Sequence, residues 1–370
     1  MNFAFSEEHE DLRQMVRDVL ADTSPEAEVR RLMETEDGYD PHLWAQLGEL
    51  GVLGLAVPEE YGGAGASFLE VGIVQEEAGA ALLCAPYLSS VVLATSAILH
   101  AGDDAAKKDY LPGLASGQLR GALALTEESG RWDAEGITLT ARPRDGQFSL
   151  TGVKTYVLDG HTANLLVVAA RTGAGISLFT VDGHAPGLTR QPLSTMDMTR
   201  KQARLTFTET PARLLGAEGA GWPVLSRVLD LAAVGLAAEQ AGGAARVLAM
   251  AVDYAKVRVQ FGRQIGSFQA IKHKCADMLV EVESAKSAAY YALWAASELG
   301  DELPAVASLA KAYCSDAYFR CAAENIQIHG GIGFTWEHPA HLYFKRAKSS
   351  QLLFGDPVYH RELLAQRVGV

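Results

Sequence analysis

Four cysteines in 370 residues, none of them in a CxxC pair, leave no sign of a disulfide framework or a thiolate metal site. Cys84, Cys275, Cys314 and Cys321 fall instead in apolar helical patterns, as the reduced, buried thiols of a cytoplasmic protein would. Positive charge is also scarce. The 32 Lys and Arg against 45 Asp and Glu leave a net charge of −13, and this argues against nucleic acid as a partner, because phosphate neutralisation takes a basic face. Long apolar runs are missing too: residues 165–170 and 231–238 fall far short of the roughly 20 that a membrane helix takes, so no membrane is expected. The first residues, MNFAFSEEHEDLRQ, are acidic and carry no apolar core, so no signal peptide is expected.

What is present is ordinary globular material, 48% hydrophobic and 21% charged. The length exceeds what one core normally supports, so roughly two or three domains are expected. From Ser6 the pattern is helical. Ser6 precedes acidic residues and then Leu12, Met15, Val16 and Val19 at helical spacing, an N-cap signature. Pro41 after Asp40 opens a further helix with Leu43, Trp44, Leu47 and Leu50 on one face. Residues 58–67 (PEEYGGAGAS) read as a connecting loop.

Near residue 119 the character changes. Short runs at 137–141, 147–150, 165–170, 176–181 and 203–208, separated by Gly, Asp and Pro, read as a small antiparallel barrel or sandwich. After Gly219 the helical period returns, with Val224, Val228, Leu231, Gly235 and Ala238 on one stripe. Ile271, Cys275, Met278, Val282 and Ala285 form another. The expected domains are therefore 1–118, 119–219 and 220–370, in the order helices, strands, helices. A doubly wound fold would alternate strand and helix instead.

Two segments carry chemistry. Residues 258–269 (RVQFGRQIGSFQ) interrupt two helical patterns. Arg258 offers a fork of donors for phosphate and Phe261 a flat face for a ring; a helix–helix corner with core aromatics is the simpler account of the spacing. Residues 327–333 (QIHGGIG) place three glycines within four positions, where backbone N–H groups can approach a ligand closely. A helix C-cap explains such a turn as well. His329 there reads as a packing residue.

Together these motifs resemble the acyl-CoA dehydrogenase family, and the resemblance runs along nearly the whole chain. It implies an α+β multidomain fold: an N-terminal helical domain, a central antiparallel β-barrel and a C-terminal four-helix bundle, usually in tetramers. It implies an FAD cofactor shared between subunits. Arg258, Gln260, Phe261, Ile265, Phe268 and Gln269 would meet the FAD of a neighbour, and Gln327, Ile328, Gly330 and Gly331 would hold its adenosine diphosphate part. The flavin would lie against the barrel near Thr126, Tyr156 and Leu158. Substrate would be an acyl-CoA with its tail near residues 86–99 and Asp230 near the pantetheine arm, and an electron-transfer flavoprotein would take the electrons onward.

The chain departs from the family at several positions. Thr126-Glu-Glu-Ser-Gly-Arg-Trp-Asp133 stands where many members carry Thr-Glu-Pro-Gly-x-Gly-Ser-Asp, and Leu158 lacks the hydroxyl of the family's Trp-Ile-Thr. The larger departure is the base. Without a gap from Gln327, the family's Glu-Gly-Thr falls on Phe354-Gly355-Asp356, and the alternative glutamate site on the first C-terminal helix falls on Ala232. Asp356 and Glu239 are the remaining carboxylate candidates, although Asp356-Pro357 also reads as a helix cap. The expectation is therefore an acyl-CoA dehydrogenase subunit that works with a related partner, as in bacterial α2β2 enzymes acting on bulky acyl-CoAs, steroid side chains included. A flavin monooxygenase on the same scaffold, which needs no thioester base, and a non-catalytic partner subunit are the alternatives.

Overall fold

The computed structural model describes residues 5–298 and 300–370. Six α-helices come first: α1 (Glu7–Thr23), α2 (Glu26–Glu34), α3 (Pro41–Glu49), α4 (Phe68–Ala80), α5 (Ser96–His100) and α6 (Asp104–Ala115). A π-helical stretch, Leu88–Thr95, runs directly into α5. Seven strands follow: β1 (Gly121–Ala124), β2 (Thr140–Arg144), β3 (Gln147–Leu158), β4 (Leu165–Thr172), β5 (Gly175–Asp182), β6 (Leu188–Pro192) and β7 (Gln202–Leu215). The last part holds α7 (Gly221–Val257), a small hairpin of β8 (Val259–Gln260) and β9 (Arg263–Gln264), then α8 (Gln269–Glu298), α9 (Leu303–His329), α10 (Ala340–Leu352) and α11 (Pro357–Val368).

The chain divides into two compact units. One holds residues up to Arg30, Phe68–Leu83 and Ala233–Val370; the other holds Arg31–Ser67 and Cys84–Ala232. In the second unit the path β4-β2-β3-β7-β5 returns to β4 and closes a barrel. Most pairings are antiparallel as expected, but β1 and β2 pair parallel to β4, a topology that the run GALA at β1 could not reveal. All four residues of β1 are buried, so the alternation that marks a half-exposed strand is absent. The barrel core gathers Leu150, Leu166, Val168, Phe179, Leu205 and Phe207. Each such side chain, fully buried, is worth about 1.5–3 kcal/mol.

In the helical unit, Ser6 caps α1 by accepting from the His9 N–H. Arg13 of α1 reaches Glu76 of α4 at 2.7 Å, and the Tyr290 hydroxyl of α8 donates to the same carboxylate at 2.9 Å. Glycines let α4 and α7 touch along their backbones. A Cβ on Gly79 would stand 2.0 Å from the Glu239 carbonyl oxygen, and one on Gly242 would stand 1.8 Å from that of Glu76. Helix α9 packs on α8, α10 and α11. By length and composition α7 could cross a membrane, contrary to the expectation that no stretch comes near that limit. Yet 67% of its most apolar window is buried inside the protein, the mark of a core helix.

Candidate active site

The barrel contributes two adjoining backbone segments. Thr126 O accepts the Thr155 N–H at 2.9 Å, which seats residues 124–126 beside β3. Beneath them Lys154, 0% exposed, donates to Glu127 Oε1 at 2.7 Å and to Leu125 O at 2.9 Å. Glu127 also accepts from the Thr138 and Leu139 N–H groups and from the Thr138 hydroxyl. Burial opposes ionisation of Glu127, but the Lys154 ammonium and these donors override it and hold the carboxyl below its usual range. Burial brings Lys154 down to about 8 despite Glu127. The pair is an anchor for the segment rather than a free acid and base. Just beyond it a bulge interrupts the β3–β7 ladder between Lys154 and Val157. Tyr156 sits in that bulge at φ 54° with its ring 54% exposed, whereas Leu158 is buried. A bulge next to a site re-aims a side chain outward.

The helical unit contributes a hairpin and a loop. At the hairpin tip Phe261 and Gly262 both take positive φ, 52° and 76°, as a two-residue type I′ turn requires. This small hairpin and the 3₁₀ turn Ile265–Ser267 replace the plain helix corner that spacing suggests. The Phe261 ring is 92% exposed and meets Phe268 edge-on at 6.1 Å, with the Arg263 guanidinium over Phe268. The glycine loop begins where α9 ends, and nothing lies within 4 Å of where a Cβ would stand on Gly330 or Gly331. His329 stacks on Tyr254 at 4.2 Å, so the ends of α7 and α9, from which hairpin and loop issue, lie side by side. Its Nδ1 bonds the Asn325 carbonyl at 2.8 Å, and burial lowers its pKa, so it is a neutral packing residue at pH 7. Near it Phe334 and Trp336 are 82% and 60% exposed. The Asn325 side-chain amide is fully buried, and neither its oxygen nor its nitrogen is bonded among the described residues.

The turn at residues 353–356 is built with care but offers no free acid. Phe354 has φ 57° and Gly355 φ 113°. Lys311, fully buried, donates to Gly355 O at 3.0 Å and Gln351 O at 3.1 Å, and His360 Nε2 donates to Phe354 O at 3.2 Å. The Asp356 carboxylate caps α11 by accepting from the Tyr359 N–H at 2.8 Å. Glu239, 3% exposed, accepts from the Ser350 hydroxyl at 3.0 Å and lies 3.7 Å from the Arg346 guanidinium. Ala232 and Asp230, in the other unit, are both buried. Sequence reasoning missed Lys154, Lys311, Asn325 and His360. Only Lys154 left a trace, as a lysine in an otherwise strand-like run.

An exposed ring beside an arginine, a glycine cradle open to backbone donors and an unmet buried amide suit a ligand with a flat ring and phosphates. Comparison with known proteins gives the class. The family models for the acyl-CoA dehydrogenase N-terminal, middle and C-terminal domains match residues 6–118, 122–210 and 219–369. The chain belongs to the acyl-CoA dehydrogenase family. It is 38% identical to the acyl-CoA dehydrogenase IpdE2 of Mycobacterium tuberculosis over 359 residues, 97% of this chain and 95% of the relative. Among solved structures it resembles butyryl-CoA dehydrogenase from Megasphaera elsdenii, with TM-score 0.94, 29% identity and full coverage of both chains (100% each). It also resembles the ChsE4–ChsE5 complex from Mycobacterium tuberculosis, with TM-score 0.91 and 28% identity over 100% of this chain and 99% of the other. The chain is thus an oxidoreductase of acyl-CoA dehydrogenase type, with FAD as its cofactor.

Proposed function

We propose that this chain is the cofactor-holding subunit of a heteromeric acyl-CoA dehydrogenase whose partner brings the carboxylate base. One observation supports the reading: Phe354 and Ala232 stand at the two positions to which the family resemblance assigns a glutamate, while Asp356 and Glu239 are already engaged. Oxidation next to a thioester takes a base over the α-carbon in a desolvated pocket. FAD, when bound, supplies the two-electron acceptor. Arg258 would pair a phosphate, while the open backbone at Gly330 and Gly331 would admit the diphosphate closely. Gln260, Ile265, Phe268, Gln269, Gln327 and Ile328 would complete that contact. Phe261 and Tyr156 would pack on flat rings, and Thr126 would bring a hydroxyl to the flavin side. Leu158, buried and without a hydroxyl, would contribute backbone alone.

Asp230 is proposed at the acyl-CoA arm and an electron-transfer flavoprotein as the acceptor. The relative solved as a complex of two differently named chains, ChsE4 and ChsE5, supports the heteromer. The regions 1–118, 119–219 and 220–370 are proposed as its domains. Free cysteines, three of them buried, support a reducing, cytoplasmic setting.

The test is to purify the chain alone and with a co-expressed related subunit, record the flavin spectrum, and add an acyl-CoA panel without oxygen. The expected result is flavin bleaching only in the two-chain preparation. Bleaching of the chain alone would sink the heteromer, and flavin reduction by NADH with substrate hydroxylation would sink the dehydrogenase.

A further inference from the structure

The helical unit contains a cavity that the dehydrogenase reading does not use. It measures about 460 Å³ and is lined by the end of α1, the start of α2, the end of α4, the C-terminal third of α7 and the start of α10. That size falls within the usual range of small-molecule sites. Leu20, Val29, Leu82, Met250 and Leu342 give it apolar walls. Leu82 holds φ 51°, a left-handed backbone that a branched side chain seldom adopts and that gathers at ligand sites.

Two polar features break the apolar lining. Ser24 is 6% exposed and its hydroxyl has no hydrogen-bond partner among the described residues. Leaving such a group unmet is unfavourable, and a ligand oxygen would remove that cost. The second feature is charge. Four charged residues line the cavity, Arg17, Glu26, Glu77 and Arg246, and three are already matched. Arg17 forks onto Glu77 at 3.0 and 2.8 Å, and Glu26 takes the Arg30 Nε at 2.7 Å. Arg246 is exposed and stands beside the Tyr343 hydroxyl, which itself donates to the Ala80 carbonyl at 2.8 Å, and no ion pair to Arg246 is found among the described residues. The lining therefore carries one surplus guanidinium beside an unmet hydroxyl.

We propose that this cavity is a binding site for a small amphipathic carboxylate. The apolar body would lie against Leu20, Val29, Leu82 and Met250, and the carboxylate would pair with Arg246 and accept from the Ser24 hydroxyl. A charge-assisted bond to arginine is about twice as strong as a neutral one, so the site favours the acid over an alcohol of equal length. The site belongs to this chain alone and does not depend on the heteromer.

Isothermal titration with decanoate, and with decanol as its uncharged counterpart, tests the assignment on the flavin-loaded protein with any partner that it takes. The expected result is saturable decanoate binding, one per chain, with decanol at least about tenfold weaker. That factor corresponds to about 1.4 kcal/mol. Arg246→Gln, a change at an exposed residue, should erase the preference for the acid, and Ala21→Trp should fill the cavity and abolish binding. Binding at the acyl-CoA site would be indifferent to both changes. The absence of saturable binding, equal affinity for acid and alcohol, or decanoate affinity unchanged in both variants would overturn the site.

Discussion

His360 and Asp356 bracket the turn at position 354, and each makes its contribution measurable. Burial first, and then the Lys311 and Arg367 charges, hold the His360 imidazole down to about 3 against the Phe354 carbonyl and Asp356. The unfolded chain takes up a proton near pH 6.5 that the folded one refuses until about pH 3. The folded state is therefore penalised progressively as pH falls through that window, by on the order of 4 kcal/mol at its foot, and is indifferent above it. Urea unfolding from pH 7 to pH 4 should show a steeper loss in the wild type than in His360→Gln; matching slopes would remove His360 from the account. Asp356→Ala should cost about 1 kcal/mol as a lost cap and leave turnover unchanged. If Asp356→Asn, which still caps, abolishes flavin bleaching in the active assembly, the residue is the base after all. The cap was legible because Asp-Pro before a helix is a local signal. The Glu127–Lys154 anchor was not, since its halves lie 27 residues apart and nothing local in either announces the other.

Among the elements, the hairpin after α7 trades stability for contact. A phenylalanine at φ 52° occupies a turn position that asparagine fills more comfortably. Phe261→Asn should raise unfolding stability by about 0.5–1 kcal/mol while the flavin content of the purified assembly falls. A variant that keeps its full flavin would show that the exposed ring takes no part in cofactor binding. The α4–α7 contact allows no such latitude. Gly242→Ala drives a methyl into the Glu76 carbonyl and should cost about 1–3 kcal/mol or more by overpacking, read from denaturant midpoints. The glycines of the loop at 330–333 stood out in sequence because clustered glycine is rare outside turns. Helix α2 stayed hidden in a short polar stretch, and β1 was lost because a strand buried on both faces has no alternation to read. The 37-residue span of α7 was likewise unreadable as one element, because periodicity marks a face but not where a helix stops.

At the scale of the whole molecule, Phe261, Phe334 and Trp336 in the helical unit and Tyr156 in the barrel are all exposed, as expected of a site that another chain completes. Flavin retention should then depend on protein concentration, because a ligand held by an assembly is lost when the assembly dissociates. Serial dilution followed by rapid filtration measures this, and a flavin fraction constant over the series would argue for a site complete within one chain. The order of helices, strands and helices was legible from periodicity alone, but the interleaving of the first helix with the last ones was not, since it rests on pairings such as Arg13 with Glu76 and Tyr290. The turn at 353–356 has a wider bearing. Its path is fixed by Lys311, His360 and Asp356 through main-chain atoms, and none of those bonds involves the side chain of residue 354. The chain can thus exchange what it presents there without redesigning what holds it. A substitution could place an acid at that position while every bond that holds the turn stayed as it is.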